Sequence, residues 1–293
     1  MKLLQLILVL LIKIVYAKIN IEIIAGKNIS DAVIKFSGHN LKVVTDHEIK
    51  LFGIDDETIF GAVQSHYGVR PRNVYLKSPT PWGDLYKKYL WEQVSRVLSV
   101  KSASVKNIVK EPVAILYQDL DNVSNKTIKV TAAMTQNVEN TVSTVWTKNT
   151  EIAVTQEIEY GLNVLFAKAS GTSGFSFTSS WGKSEEKSEV TSIGTTASME
   201  TELKPGQAAT AVLSANRGYM EIEVIYTAML RGHLAVNFKR KHNGHHFWFP
   251  MIDSVMKSGG LTNERTAVEI IKIGFYTDAS LKVVFNSLKP RVG

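Results

Sequence analysis

The sequence predicts a mostly β protein of long, twisted antiparallel strands, with a small α+β head at its N-terminal end. Three observations predict it. From Pro112 onward apolar and polar residues alternate over long stretches, as where Ile222, Val224 and Tyr226 oppose Glu221, Glu223 and Ile225. Ser and Thr make up roughly a third of residues 125–201, which suits strands with a solvated face better than a closed core. Helical spacing is confined to the first third of the chain and one short segment near Ile252.

Met1-Lys2-Leu3-Leu4 and the apolar run to Val15-Tyr16-Ala17 read as a secretory leader over residues 1–17, cleaved after Ala17. Lys13 interrupts that run, which is too short for a spanning anchor. Residues 18–111 form the expected head. Strands are expected at 41–45 and 73–77, and a helix where Asp55-Asp56-Glu57 precedes Ile59, Phe60 and Val63. A second helix is expected over 82–98, because Leu85, Tyr89, Val94 and Leu98 fall near helical spacing after Pro79 and Pro81. Residues 112–293 form the β region. Strands are expected at 113–117, 127–146, 185–203, 208–213, 220–230, 270–276 and 281–285, with turns at 119–125 and Pro205-Gly206 and a helix at 252–257.

Residues 151–182 carry most of the functional signal. On the first limb Ile152, Val154, Ile158, Tyr160, Leu162, Val164 and Phe166 share one face. Ala153, Thr155, Glu157, Glu159, Gly161 and Asn163 share the other, and Gln156 breaks the apolar row. A turn over 167–173, with Lys168, Ser170 and Gly171 at the tip, leads to a limb where Phe175, Phe177 and Trp181 oppose Ser176, Thr178 and Ser180. A bilayer crossing takes about nine to eleven tilted residues per strand, a length that residues 157–166 and 173–182 supply. The expected membrane-facing row is Ile158, Tyr160, Leu162, Val164, Phe166, Phe175, Phe177 and Trp181. The expected lumen row is Thr155, Glu157, Glu159, Asn163, Ser176 and Thr178. A lone hairpin would leave two unpaired edges in hydrocarbon, so insertion requires a homo-oligomer whose hairpins close into a barrel across a target-cell membrane. Glu157 and Glu159 would then form acidic rings and give a weak cation preference. Before insertion the apolar face is expected to lie against the body of the same molecule.

Composition narrows the alternatives. The formal charge is +7, two of those charges being Lys2 and Lys13 in the leader. This mild excess suits an anionic membrane surface, and no basic run is dense enough for a nucleic-acid-binding arm. Cysteine is absent, which excludes a disulfide scaffold and a thiol nucleophile. Sequons stand at Asn28, Asn122 and Asn125. No nucleophile elbow, phosphate-binding loop or dinucleotide fingerprint occurs, so neither an enzyme nor a cofactor is expected. His242, His245 and His246 lack the zinc-helix spacing and read as a solvated loop rather than a metal site. Lys239-Arg240-Lys241 and Arg291 are candidate protease sites for an activating cut. Trp82, Tyr86, Tyr89 and Trp91 form either a receptor or head-group patch or, favoured by their spacing, core packing.

The order of parts resembles the aerolysin-like β-pore-forming family. The likeness rests on the Thr-rich strand of residues 131–146, the hairpin, the Ser/Glu-rich return of residues 181–190, and Leu203-Lys-Pro-Gly-Gln207 leading into residues 220–227. It covers residues 127–238, while residues 244–250 through 273–276 look like arthropod spherulin-like and yolk-associated members and related proteins of caterpillar venom. The resemblance implies an elongated, secreted molecule that assembles into a ring on a target membrane and extrudes one hairpin per subunit. A non-lytic extracellular storage or yolk-type glycoprotein on the same scaffold is the alternative.

Overall fold

The computed structural model describes residues 18–25, 29–147, 159–168, 171–180, 183–194 and 199–286. The expected leader and Asn28, Thr155, Glu157, Ile158, Ser170, Trp181 and Arg291 lie outside the described residues.

Three long strands carry the molecule: β5 (Ser95–Asp121), β12 (Ala208–Arg231) and β15 (Arg265–Phe285). At about 3.3 Å per residue β5 alone extends on the order of 80–90 Å, so the molecule is elongated. They sit centrally in a six-stranded sheet of order β10-β7-β15-β12-β5-β3. Its other strands are β3 (Asn40–Val43), β7 (Thr135–Trp146) and β10 (Glu186–Gly194). All its neighbours are antiparallel. At the far end β6 (Ile128–Ala132) pairs with β11 (Met199–Leu203).

Alternation along β12 builds the interior. Met220, Ile222, Val224, Tyr226, Ala228 and Leu230 are all buried. They pack with Leu98, Val100, Ile271, Ile273 and Phe275 into the larger core. A second core, of Leu120, Ala132, Met134, Leu203, Leu213 and Leu281, closes the other end. Between the two, most of β5 is exposed. Phe275 lies directly across from Gly218, where an added Cβ would come within 2.3 Å of its ring. The glycine makes room for the aromatic.

The head collects α1 (Asp46–Leu51), α2 (Asp56–Tyr67), α3 (Pro81–Tyr89) and α4 (Ile252–Ser258). A three-stranded sheet of order β14-β13-β4 completes it, from β4 (Asn73–Tyr75), β13 (Ala235–His242) and β14 (His245–Trp248). Side chains fix the helix starts. Thr45 and Glu48 form a reciprocal capping box on α1, and Asp55 accepts from Thr58 N on α2. Gly68, at φ 74°, ends α2 in the left-handed conformation that glycine tolerates best.

The expected helix over 82–98 is half right. α3 stops at Tyr89, Leu90 turns left-handed, and β5 begins at Ser95. The inward row of that strand is Val94, Arg96, Leu98 and Val100, and the arginine in it hides the period of two. Arg96 is buried with its Nε 2.6 Å from Glu48 Oε1 and its Nη2 donating to Asn40 Oδ1 at 2.8 Å. Burial lowers the arginine pKa and Glu48 opposes that shift. Elsewhere the expected strands 208–213 and 220–230 merge across a bulge at Ser214/Asn216, as do 270–276 and 281–285 within β15. Conversely 127–146 divides into β6 and β7, and 185–203 into β10 and β11.

Candidate insertion hairpin and its surroundings

β8 (Glu159–Lys168) and β9 (Gly171–Ser180) form an antiparallel hairpin inserted in sequence between β7 and β10. β7 and β10 are themselves neighbours, in register from Glu186↔Ser143 to Gly194↔Thr135. The excursion therefore leaves and rejoins the main sheet at adjacent strands. The limbs run further than the expected turn over 167–173 implied, because Lys168 already pairs with Gly171. Small residues at 171–174 suit strands that continue close to the tip.

The register sets the two faces. Leu162 lies opposite Phe177 and Val164 opposite Phe175, while Asn163 lies opposite Ser176 and Gly161 opposite Thr178. Directly paired positions share a face, so the rows 160, 162, 164, 166 and 175, 177 are common to one side. On that side Val164 is 0% exposed and belongs to the larger core beside Ile21 and Ile23. On the other side Ser176 and Thr178 are exposed and Asn163 is half-buried.

An N-terminal segment absent from the expected elements holds the hairpin in place. β1 (Asn20–Ala25) runs parallel to β8, in register from Asn20↔Gly161 to Ala25↔Phe166. β2 (Val33–Ser37) covers its other edge, giving a sheet of order β2-β1-β8-β9. The apolar Ile19, Ile21 and Ile23 were the available signal, but three alternating residues are too few to separate strand from coil. Gly161 N donates to Ile19 O at 2.9 Å, and an added Cβ at Gly161 would stand 2.5 Å from Asn20 Oδ1. Lys18 Nζ donates to Thr178 Oγ1 at 3.2 Å, and Lys187 Nζ donates to Thr178 O.

The aromatic residues of the head divide. Tyr86 is core: its hydroxyl donates toward Tyr75 O and His233 O and accepts from Ala235 N, and burial raises its pKa. Trp91 stacks between Tyr89 and Phe249 at 5.1 and 4.3 Å. Trp82 and Tyr89 remain about half exposed, beside the fully exposed Leu90. Trp82, Gly83 and Asp84 are successive left-handed residues, a strained turn held by Asp84. The Ser78 hydroxyl, then Thr80 N–H and Lys87, hold the Asp84 carboxyl below its usual range. A depressed carboxylate contributes stability that is complete above its unfolded-state pKa and is lost as pH falls through the folded-state value. Asp84→Asn is therefore expected to lower the melting temperature at neutral pH and to converge with the unaltered chain in acid; parallel curves at every pH would contradict this.

The histidines have ordinary neighbours. His242 packs 5.5 Å from Tyr67 and 5.3 Å from Phe238, His245 lies 6.0 Å from Trp248, and His246 Nδ1 is 3.0 Å from Phe238 O. Among the described residues no three His, Cys, Asp or Glu side chains converge as a metal site would require. Lys239, Arg240 and Lys241 lie within β13. Asn122 does not suit a glycan in the folded chain, because it is buried and its Nδ2 donates to both Lys126 O and Leu203 O at 2.8 Å. Asn125 is exposed.

Long paired strands, a polar-faced hairpin folded back on the body and a small head define an aerolysin-like β protein. The fold is similar to that of parasporin-2, a Bacillus thuringiensis toxin, with a TM-score of 0.53 and 17% identity over 85% of this chain and 100% of that one. No family model matches the chain. It is 37% identical over 284 residues to U-megalopygitoxin(8)-Mo12 of Megalopyge opercularis, covering 97% of this chain and 98% of that protein. It is 36% identical over 258 residues to U-megalopygitoxin(8)-Mc8 of Megalopyge crispata, covering 88% of each. The chain belongs to the U-megalopygitoxin(8) family.

Proposed function

We propose that this chain is a secreted toxin that assembles into a ring on a target-cell membrane and inserts β8 and β9 of each subunit as one hairpin of a closed barrel. The observation that carries this reading is the packing of the hairpin: an apolar row that enters the core at Val164, a polar row that faces water at Ser176 and Thr178, and attachment at two neighbouring strands. The megalopygitoxins it resembles are named as toxins, which fits.

The energetics locate the driving force. Val164 is already out of water, so moving it into lipid exchanges one apolar setting for another and gains little. Among the described residues the outer edge of β9 has no partner strand, and that edge is what assembly newly pairs. In the soluble form β8 spends one edge on β1; in a barrel the hairpin of an adjacent subunit takes that edge, and every backbone group in the hydrocarbon finds a partner. β1 must therefore give up β8 before β8 and β9 can move, and it keeps only β2 as a neighbour once the barrel closes. In the inserted state Tyr160, Leu162, Val164, Phe166, Phe175 and Phe177 face lipid, and Glu159, Asn163, Ser176 and Thr178 face the lumen.

Leu162→Glu tests the assignment. A carboxylate on the lipid side of a strand is costly near the bilayer midplane, by on the order of 1–3 kcal/mol per copy and repeated in every subunit. Leakage from liposomes is expected to fall steeply while vesicle binding persists, and Leu162→Ala is expected to leak nearly as the unaltered chain does. Retained leakage by the Glu variant would sink the face assignment. A chain that stays monomeric at all lipid concentrations would instead indicate a non-lytic scaffold.

A further inference from the structure

We propose that the cleft between the end of α2 and strand β13 binds the phosphate-bearing head group of an anionic phospholipid. The cleft has a volume of about 460 Å³, in the range of sites that take one small ligand rather than a polymer. Arg70, Lys239, Arg240 and Lys241 line it, together with the buried Phe238, with His242 and with Val69. No carboxylate is among these lining residues.

The charges there are largely uncommitted. Among the described residues the side chains of Lys239, Arg240 and Lys241 make no ion pair or hydrogen bond. Arg70 Nη2 holds Glu57 Oε2 at 2.9 Å, and both partners are more than half exposed, so the pair exchanges readily for a stronger anion. Three successive cations beside a guanidinium suit a phosphate, which accepts several charge-assisted hydrogen bonds.

The surroundings favour a membrane as the source of that phosphate. Val69 at the cleft is an exposed apolar side chain, and Tyr67 packs 5.5 Å from Trp248 beside it. Aromatic and basic side chains side by side are the composition that settles at the boundary of head groups and hydrocarbon. This deepens the pore reading by supplying the step that concentrates subunits before insertion, and it can be measured with insertion switched off.

The test uses the mature chain locked by a Glu22→Cys/Asn163→Cys disulfide, so that binding is read without leakage. Vesicles of phosphatidylcholine, with and without phosphatidic acid, are sedimented with it at physiological salt. Lys239→Gln/Arg240→Gln/Lys241→Gln is expected to weaken binding to the anionic vesicles by on the order of a hundredfold. Removing three cations elsewhere, by Lys126→Gln/Lys129→Gln/Lys204→Gln, is expected to cost less than about threefold. Arg240→Gln alone, which guards against a misfolded triple variant, is expected to cost about fivefold. Equal losses in the two triple variants, unaltered binding by the cleft variants, or capture of heparin oligosaccharides with indifference to phosphatidic acid would each overturn the proposal. If the cleft variants lose binding while the double-cysteine chain with an unaltered cleft still fails to leak after reduction, and the cysteine-free chain fails as well, the lipid site stands and the pore reading falls.

Discussion

Cysteines at Glu22 and Asn163 are expected to oxidise to a disulfide that abolishes membrane leakage, and reduction is expected to restore it. The two positions are registered partners across the parallel pair of β1 and β8. Neighbouring strands stand about 4.8 Å apart, so registered partners fall within the Cα separation a disulfide spans. Both side chains are half-buried on the polar side of the sheet, so the core row at Ile23 and Val164 is untouched. The chain has no cysteine of its own, so no competing pair can form. Insertion of the hairpin requires β1 to leave; tied to β8, it would be dragged toward the bilayer with its charged Lys18 and the β2 strand behind it. Full leakage from the oxidised form would show that β1 and β8 travel together.

The second large effect concerns stability. Glu48→Ala is expected to destabilise the fold by about 3–5 kcal/mol, because it strands the buried Arg96 guanidinium without its counter-charge. The same carboxylate accepts from Thr45 N and Thr45 Oγ1 at 2.8 and 2.9 Å, so the reciprocal half of the α1 capping box is lost with it, while the backbone N–H of residue 48 still donates to Thr45 Oγ1. Since typical domains are stable by roughly 5–15 kcal/mol, the loss is a large part of the whole. Adding Arg96→Met should recover most of it, since replacing a buried pair by packed apolar atoms is often neutral. A denaturation midpoint unchanged by Glu48→Ala would mean that the arginine reaches water in solution.

How much of this was legible in the sequence depends on what each residue shows of its surroundings. The hairpin was readable because its two faces differ in kind: Leu162 and Val164 against Asn163, Phe175 and Phe177 against Ser176 and Thr178. The long strands were readable wherever the inward row is apolar, as in Met220 to Leu230, and were cut short where a bulge such as Ser214/Asn216 interrupts it. Strand β5 was obscured by Arg96, which occupies an inward position that only Glu48, distant in sequence, makes tolerable. The clasp of β1 on β8 was not readable, since pairing between residues so far apart leaves no local period. The cleft lay half in view: Lys239-Arg240-Lys241 stands out as a basic run, but its junction with Arg70 exists only after β13 packs beside the end of α2.

The most direct test of hairpin insertion is an environment-sensitive dye carried in turn by single cysteines along residues 159–168, with emission recorded on liposomes that are leaking. An alternating record is expected, with hydrocarbon-like emission from positions 160, 162, 164 and 166 and water-like emission from positions 159, 161 and 163. Water-like emission from all of them while the vesicles empty would contradict it.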